Sequence, residues 1–267
     1  MRWWPLGLVV LVACHRSLMC DAPDGVSSLP AKLSETGLDR DGVVPYTPLF
    51  ELWSDGATKR RFLYLPPGAT IDKSDPNDWS FPVGTKLWKE FSVNGVKVET
   101  RLLARVSNDR WEAMAYVWSG TDAIATPRGE QNAVGTAHDV PASDDCEACH
   151  GGRKSHVLGY SAVQLGEVVF GGTSAEHAAF GYLHANCSHC HNQARPSHDG
   201  ARCYDPENEL EFRVLANGDT PAKRTKSDRK KEILKLVSHR GKDEQMPPLA
   251  TEQVDADGVA KLRAWIE

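Results

Sequence analysis

The chain has 267 residues, 40% of them apolar, and a formal net charge of -5. That length accommodates one sizeable domain or two modest ones, and the change of texture along the chain suggests two. So small an acidic excess, without a nucleic-acid module or a phosphate-binding glycine loop, gives no footing for a nucleic-acid partner.

At the amino terminus Arg2 precedes the apolar run Leu6 to Ala13. The run is too short for a membrane span and reads as an export signal over residues 1–13. Leu11-Val12-Ala13-Cys14 also resembles a bacterial lipobox, which implies a lipid on Cys14 and a protein anchored in the cell envelope or periplasm without a transmembrane helix. An ordinary secretory signal, giving a soluble exported form, is the alternative. Residues 14–44 then read as tether and linker, with one weak helical stretch from Leu29 to Glu35.

Residues 45–140 are expected to form a β-rich domain, because aromatic and β-branched residues alternate with Pro and Gly turns. Candidate strands are Arg61 to Leu65, Thr85 to Val93, Val96 to Arg105 and Arg110 to Trp118. Asn94-Gly95 supplies a tight hairpin turn between the second and third of them. A β-sandwich or distorted jelly-roll is the class such strands suggest. Trp53, Trp79, Trp88, Trp111 and Trp118 read as core or seam residues, since amphipathic aromatics commonly close such surfaces. Asp55, Asp75, Asp78 and Asp122 read as turn and helix-start residues rather than as a hydrolytic pair.

Two signatures of the form CxxCH follow: Cys146-Glu147-Ala148-Cys149-His150 in a segment spanning 141–175, and Cys187-Ser188-His189-Cys190-His191 in a helical region spanning 176–267. This spacing attaches a c-type haem through two thioethers and supplies a proximal histidine to the iron. Two covalently bound haem c groups are therefore expected, with His150 and His191 as proximal ligands. Helices are expected from Glu176 to Asn186 and from Glu232 to Ser238, with a last one bearing Val259, Leu262, Trp265 and Ile266 and capped by Asp257. Between the last two, Met246-Pro247-Pro248 can bring a thioether to the second iron, a soft neutral ligand that favours the reduced state. For the first iron His156 leads the candidates for the sixth position, ahead of His138, His177 and His184, with an open position as a further alternative. Zinc or copper on Cys146, Cys149 and His150, with His138 or His156, is the competing reading of that motif. Of the seven cysteines, Cys20 and Cys203 remain, either paired or single.

The region from Glu176 to Glu267 resembles a class I cytochrome c domain: CSHCH near the first helix, RGKDEQMPP, and VDADGVAKLRAWI as the last helix. In that family the first and last helices cross beside the haem, and the resemblance assigns the crossing to Ala179, Leu183, Leu262 and Trp265. Leu183 stands where an aromatic is usual, so Phe180 or Tyr182 is expected to compensate. Over most of its length, with runs such as PYTPLFELWSDGATKRRFLYLPPG and WSFPVGTKLWKEFS, the chain also resembles exported bacterial diheme cytochromes. The resemblance implies a multidomain α+β architecture, and it supplies no substrate.

These features together predict extracytoplasmic electron transfer between redox proteins. No acid-base pair beside an open haem stands out for the alternative, a diheme peroxidase-like or other haem redox enzyme. A partner-binding or sensory cytochrome is a further reading. The run from Lys223 to Lys242 carries nine Lys or Arg residues and is a candidate surface for an acidic partner, although a solvated helix face explains it as well.

Overall fold

The computed structural model describes residues 27–168, 172–196, 210–215, 225–241, 244–248 and 250–267. The export signal, Cys14, Cys20, Cys203, Lys223 and Lys242 lie outside them. The architecture is multidomain α+β, an antiparallel sheet followed by a helical region. Among the described residues no helix is long and apolar enough to cross a membrane.

The strands are β1 (Val43–Tyr46), β2 (Thr58–Tyr64), β3 (Lys86–Val93), β4 (Val96–Arg105), β5 (Trp111–Ser119) and β6 (Asp122–Ala125). They lie side by side in chain order as one antiparallel sheet. A sandwich or jelly-roll needs a second sheet and long crossovers; here consecutive strands pair with each other, so the described strands form a single meander. Irregular segments supply the second layer instead. β3 turns into β4 through Asn94 (φ 51°) and Gly95 (φ 80°), left-handed at both positions as a type I′ turn requires. β1 and β6 went unforeseen because each has four residues, and β1 contains Pro45, which an edge strand tolerates.

Alternation along the strands sends Tyr64, Trp88, Leu102, Met114 and Tyr116 to one face, where Leu29, Leu33 and Leu38 cover them. Trp88 is fully buried there, and its indole N–H donates to Thr36 Oγ1 at 3.0 Å. The opposite face carries Leu63 and Leu87, packed against Trp79, Phe81, Val157 and Ala162. Val157 and Ala162 follow the first CxxCH motif in sequence, so this face is turned toward that motif.

The helices are α1 (Ser143–His150), α2 (Ser174–Asn186), α3 (Ser227–Val237) and α4 (Ala256–Ile266). α1 has no apolar stripe, only Ala148 being buried along it, which is why periodicity did not announce it. α2 opens on a capping box: Thr173 Oγ1 accepts from the Glu176 N–H at 3.2 Å, and Glu176 accepts from the Thr173 N–H at 2.8 Å. The cap of α4 is Asp255 rather than Asp257. Its Oδ1 accepts from the Gly258 N–H at 2.9 Å, and because the helix begins at Ala256, Asp257 falls inside the first turn.

α2 and α4 share a buried cluster with Ala179, Leu183, Leu262 and Trp265 at its centre, closed by Ile233 and Val237 of α3. Tyr182 belongs to this cluster, whereas Phe180 packs away from it against Val163. The approach is close at Gly258, where a Cβ would stand 2.3 Å from the Tyr182 ring.

The sheet region and the helical region are joined by polar contacts. The Trp53 N–H donates to Asn186 Oδ1 at 2.7 Å, and the Trp53 indole donates to the Gln253 carbonyl at 3.1 Å. The Asp55 carboxylate accepts from the N–H groups of Glu252 and Gln253 at 2.9 and 3.0 Å.

Candidate metal centre

α1 presents Cys146 and Cys149 one turn apart and ends on His150. All four cysteines of the two CxxCH motifs are free thiols. Burial pushes Cys146 up to about 11 and Cys149 and Cys187 up to about 12, which favours the protonated thiol. His150 Nδ1 donates to the carbonyl of His156. That bond fixes the tautomer and leaves Nε2 as the lone-pair donor, the outer contact that metal-ligating histidines characteristically make. Burial, followed by the nearby Lys89 charge, lowers the His150 pKa to about 3 and keeps the ring neutral, as a ligand must be.

The proposed sixth ligands are distributed differently. His156 adopts φ 56°, and its Nδ1 lies 3.6 Å from Glu147 Oε2. Its main-chain carbonyl accepts from His150 Nδ1. His138 Nε2 bonds Glu99 Oε1 at 2.7 Å. His177 lines a separate open cleft with Leu49 and Phe50. His184 is buried beside Phe180 with neither ring nitrogen hydrogen-bonded, and burial, reinforced by Arg153, holds its pKa well below the usual histidine value.

The second motif caps α2. The N–H groups of Cys190 and His191 donate to the Cys187 carbonyl at 3.1 and 2.8 Å, wrapping the motif into a tight turn. The His191 ring stands edge-on to Phe212, with centroids 5.7 Å apart. A cleft opens beside it, lined by Cys187, Cys190, His191, Met246, Pro247 and Pro248. Its water-accessible volume is about 50 Å³, so the cleft is marked by the chemistry of its lining rather than by room for a bound group. The Met246 N–H donates to the Leu236 carbonyl at 3.0 Å and ties the methionine loop to α3. Two thiols, an imidazole and a thioether on one cleft are the donor set of a c-type haem, and the chemistry of the residues present fits that group.

The two motifs are packed against each other. A Cβ on Gly152 would come within 1.7 Å of the His189 carbonyl oxygen, so only glycine allows the main chains this close. Cys190 Sγ lies 3.9 Å from the Ala148 carbonyl, and the Asn192 amide donates to the Gly152 carbonyl at 3.3 Å. Cys149, from the first motif, lines the cleft of the second. Arg153 secures the junction, donating to the Asn77 carbonyl at 2.7 Å and to Ser188 Oγ.

On the sheet face turned toward the first motif, the register sets Arg61 (β2), Lys89 (β3) and Arg101 (β4) in one cross-strand row. The next row on that face holds Lys59, Phe91 and Glu99. Arg61 pairs with Glu51 at 3.0 Å, and Lys59 lies 3.8 Å from the same carboxylate. The Arg101 Nε–H donates to Glu99 at 2.9 Å. Lys89 has no hydrogen-bonding acceptor among the described residues. Burial, with Arg61, Lys59 and Arg101 around it, lowers its pKa to about 7. The sequence reading missed this row. Its signal was charge at alternate strand positions on a face that also carries leucines, and only the strand register shows that the charges meet.

Among the described residues no group of three or more His, Cys, Asp and Glu side chains is placed to hold a bare metal ion. A haem iron draws four ligands from the porphyrin and needs one or two from the protein. No family model, curated protein or solved structure matches the chain.

Proposed function

We propose that the protein is an exported electron carrier with two covalently attached c-type haems. Cys146, Cys149 and His150 would hold one, and Cys187, Cys190, His191 and Met246 the other. The bound groups supply one-electron iron chemistry. The chain supplies the attachment thiols, a neutral His150 imidazole oriented by the His156 carbonyl, the His191 imidazole beside Phe212, and a largely apolar cleft at the second motif. The carrying observation is the back-to-back docking of the two motifs through Gly152 and His189. Such docking suits a relay, because it brings two attachment sites together within one rigid junction.

Electrons enter and leave through extracytoplasmic redox proteins, and the carrier is placed in the periplasm or on the envelope through a lipid on Cys14. Within the basic run, α3 presents Arg229, Lys230, Lys231 and Lys235. Arg229 is paired with Glu232 at 2.6 Å, Lys235 with Glu244 at 3.4 Å, and Lys230 covers the Trp265 ring at 4.2 Å. These contacts temper the patch, so its role for an acidic partner is orientation more than affinity.

The test is intact mass followed by kinetics on protein made with haem-attachment machinery. Two haem additions are expected, with rapid reduction and reoxidation by a small cytochrome or copper protein and negligible peroxide turnover. A single addition removes the relay. Substantial peroxide turnover above free-haem blanks moves the assignment to a diheme peroxidase-like enzyme.

A further inference from the structure

We propose that Arg153 tunes both haems at once, as a buried cation at the junction of the two motifs that raises the reduction potential of each. The inference rests on the diheme reading and deepens it by naming one side chain that sets the driving force at both sites.

Hydrogen bonds place the side chain. The Arg153 N–H donates to the His150 carbonyl at 3.2 Å, so the residue forms the turn that closes the first motif. Its guanidinium reaches across the junction to Ser188 Oγ, next to Cys187 and three positions before His191. Ser188 is completely buried and donates to the His184 carbonyl, so this contact lies inside the second motif rather than on its rim. The other branch of the guanidinium donates to the Asn77 carbonyl at 2.7 Å. Asn77 is itself held to the main chain of Val214 at 2.8 and 2.9 Å. One charge is thus anchored to both CxxCH segments and to the sheet region.

A clamp made of hydrogen bonds does not require a charge, and this charge lacks a counter-ion. Arg153 is only 5% exposed, and a guanidinium stays protonated in proteins. Buried charges are ordinarily paired, because leaving water is costly for an ion. Here the acceptors are a carbonyl and a hydroxyl, Nε has no partner, and among the described residues no carboxylate pairs with the group. The acidic residues of the same loops are committed elsewhere. Asp78 accepts from the Lys154 N–H at 2.9 Å and from the Ser155 hydroxyl. Asp75 accepts from the main-chain and side-chain N–H groups of Asn77 at 2.9 and 3.1 Å. A buried charge is screened far less than a surface one, so its field extends into both motifs. It favours the iron state with less positive charge, which is the reduced one at either site.

The test is spectroelectrochemistry of the holoprotein carrying both haems, with the two midpoint potentials resolved. Arg153→Gln should lower both potentials, each by at least a tenfold change in the reduction equilibrium, about 59 mV for one electron. Arg153→Lys keeps the charge but not the fork, and should restore most of both shifts. If Arg153→Lys falls as far as Arg153→Gln, the guanidinium is a clamp only and the proposal fails. It fails equally if one potential moves and the other stays. Should Arg153→Gln lose a haem, Asp78→Asn decides: removing the carboxylate bonded beside Arg153 should raise both potentials, and no rise overturns the proposal. Intact mass separates the two levels. Fewer than two haems in wild type refutes the diheme reading itself, whereas two haems with potentials indifferent to Arg153→Gln refutes the role of Arg153 alone.

Discussion

Glu99 is fully buried, and it holds two groups at once: Arg101 through paired hydrogen bonds and His138 at 2.7 Å. Burial alone would raise its pKa, but Arg101 and His138 outweigh burial and hold it below the ordinary carboxylate value. A depressed carboxylate contributes stability that is present above the unfolded value of about 4.3 and is lost as pH falls through the folded value. Glu99→Gln should therefore flatten the acid side of a thermal-stability profile. At neutral pH it should cost about 3 kcal/mol in denaturant unfolding, the low end for breaking a buried pair because Arg101 is partly exposed. Met246 gives a second prediction. On the proposed diheme reading, Met246→Ala should abolish a sulfur-to-iron absorption band and lower the potential of the second haem by about 100 mV, read by spectroelectrochemistry with both haems still attached. The cysteines, His150, His191 and Met246 stand out in the sequence by their spacing, and their role as haem ligands is the proposal made above. Lys89, Glu99 and Arg101 do not stand out, because charges on alternating strand positions look like a solvated face until the opposite layer is known.

Among the elements, the β3–β4 hairpin and the α2–α4 crossing test different physics with the same substitution. Gly95 has φ 80° and open space around it, so Gly95→Ala should cost about 1 kcal/mol of backbone strain while the haem spectra stay unchanged. Gly258 lies inside a helix, where alanine is intrinsically favoured by about 1 kcal/mol. Its added methyl would nevertheless meet the buried Tyr182 ring, and overpacking of that kind costs about 1–3 kcal/mol. Gly258→Ala should therefore lower stability and also perturb the Met246 band, because Tyr182 lines the same cleft. Simultaneous thermal melts and visible spectra of both variants separate these outcomes. The hairpin was legible because Asn-Gly dictates its own turn, and β4 runs from Val96 to Arg105 as the alternation indicates. The single meander was hidden because pairing order depends on long-range burial, and α1 was hidden because it is short and buries only Ala148.

For the whole molecule, the seam between sheet and helices is polar and depends on few residues. Asp55 (φ 48°) holds the N–H groups of Glu252 and Gln253, and Trp53 reaches both Asn186 and Gln253. Asp55→Ala removes the acceptors and strains the left-handed backbone, for a loss of about 2 kcal/mol. Hydrogen exchange should speed up at Glu252 and Gln253 while β3 and β4 keep their protection, and Asp55→Asn should restore part of the difference. Division into a sheet region and a helical region could be read from composition, but the seam could not, since its partners lie about 130 to 200 positions apart. The Gly152–His189 junction has one more consequence. A side chain at position 152 would drive into the His189 carbonyl, so any substitution there would wedge the two CxxCH segments apart even though neither motif has been altered.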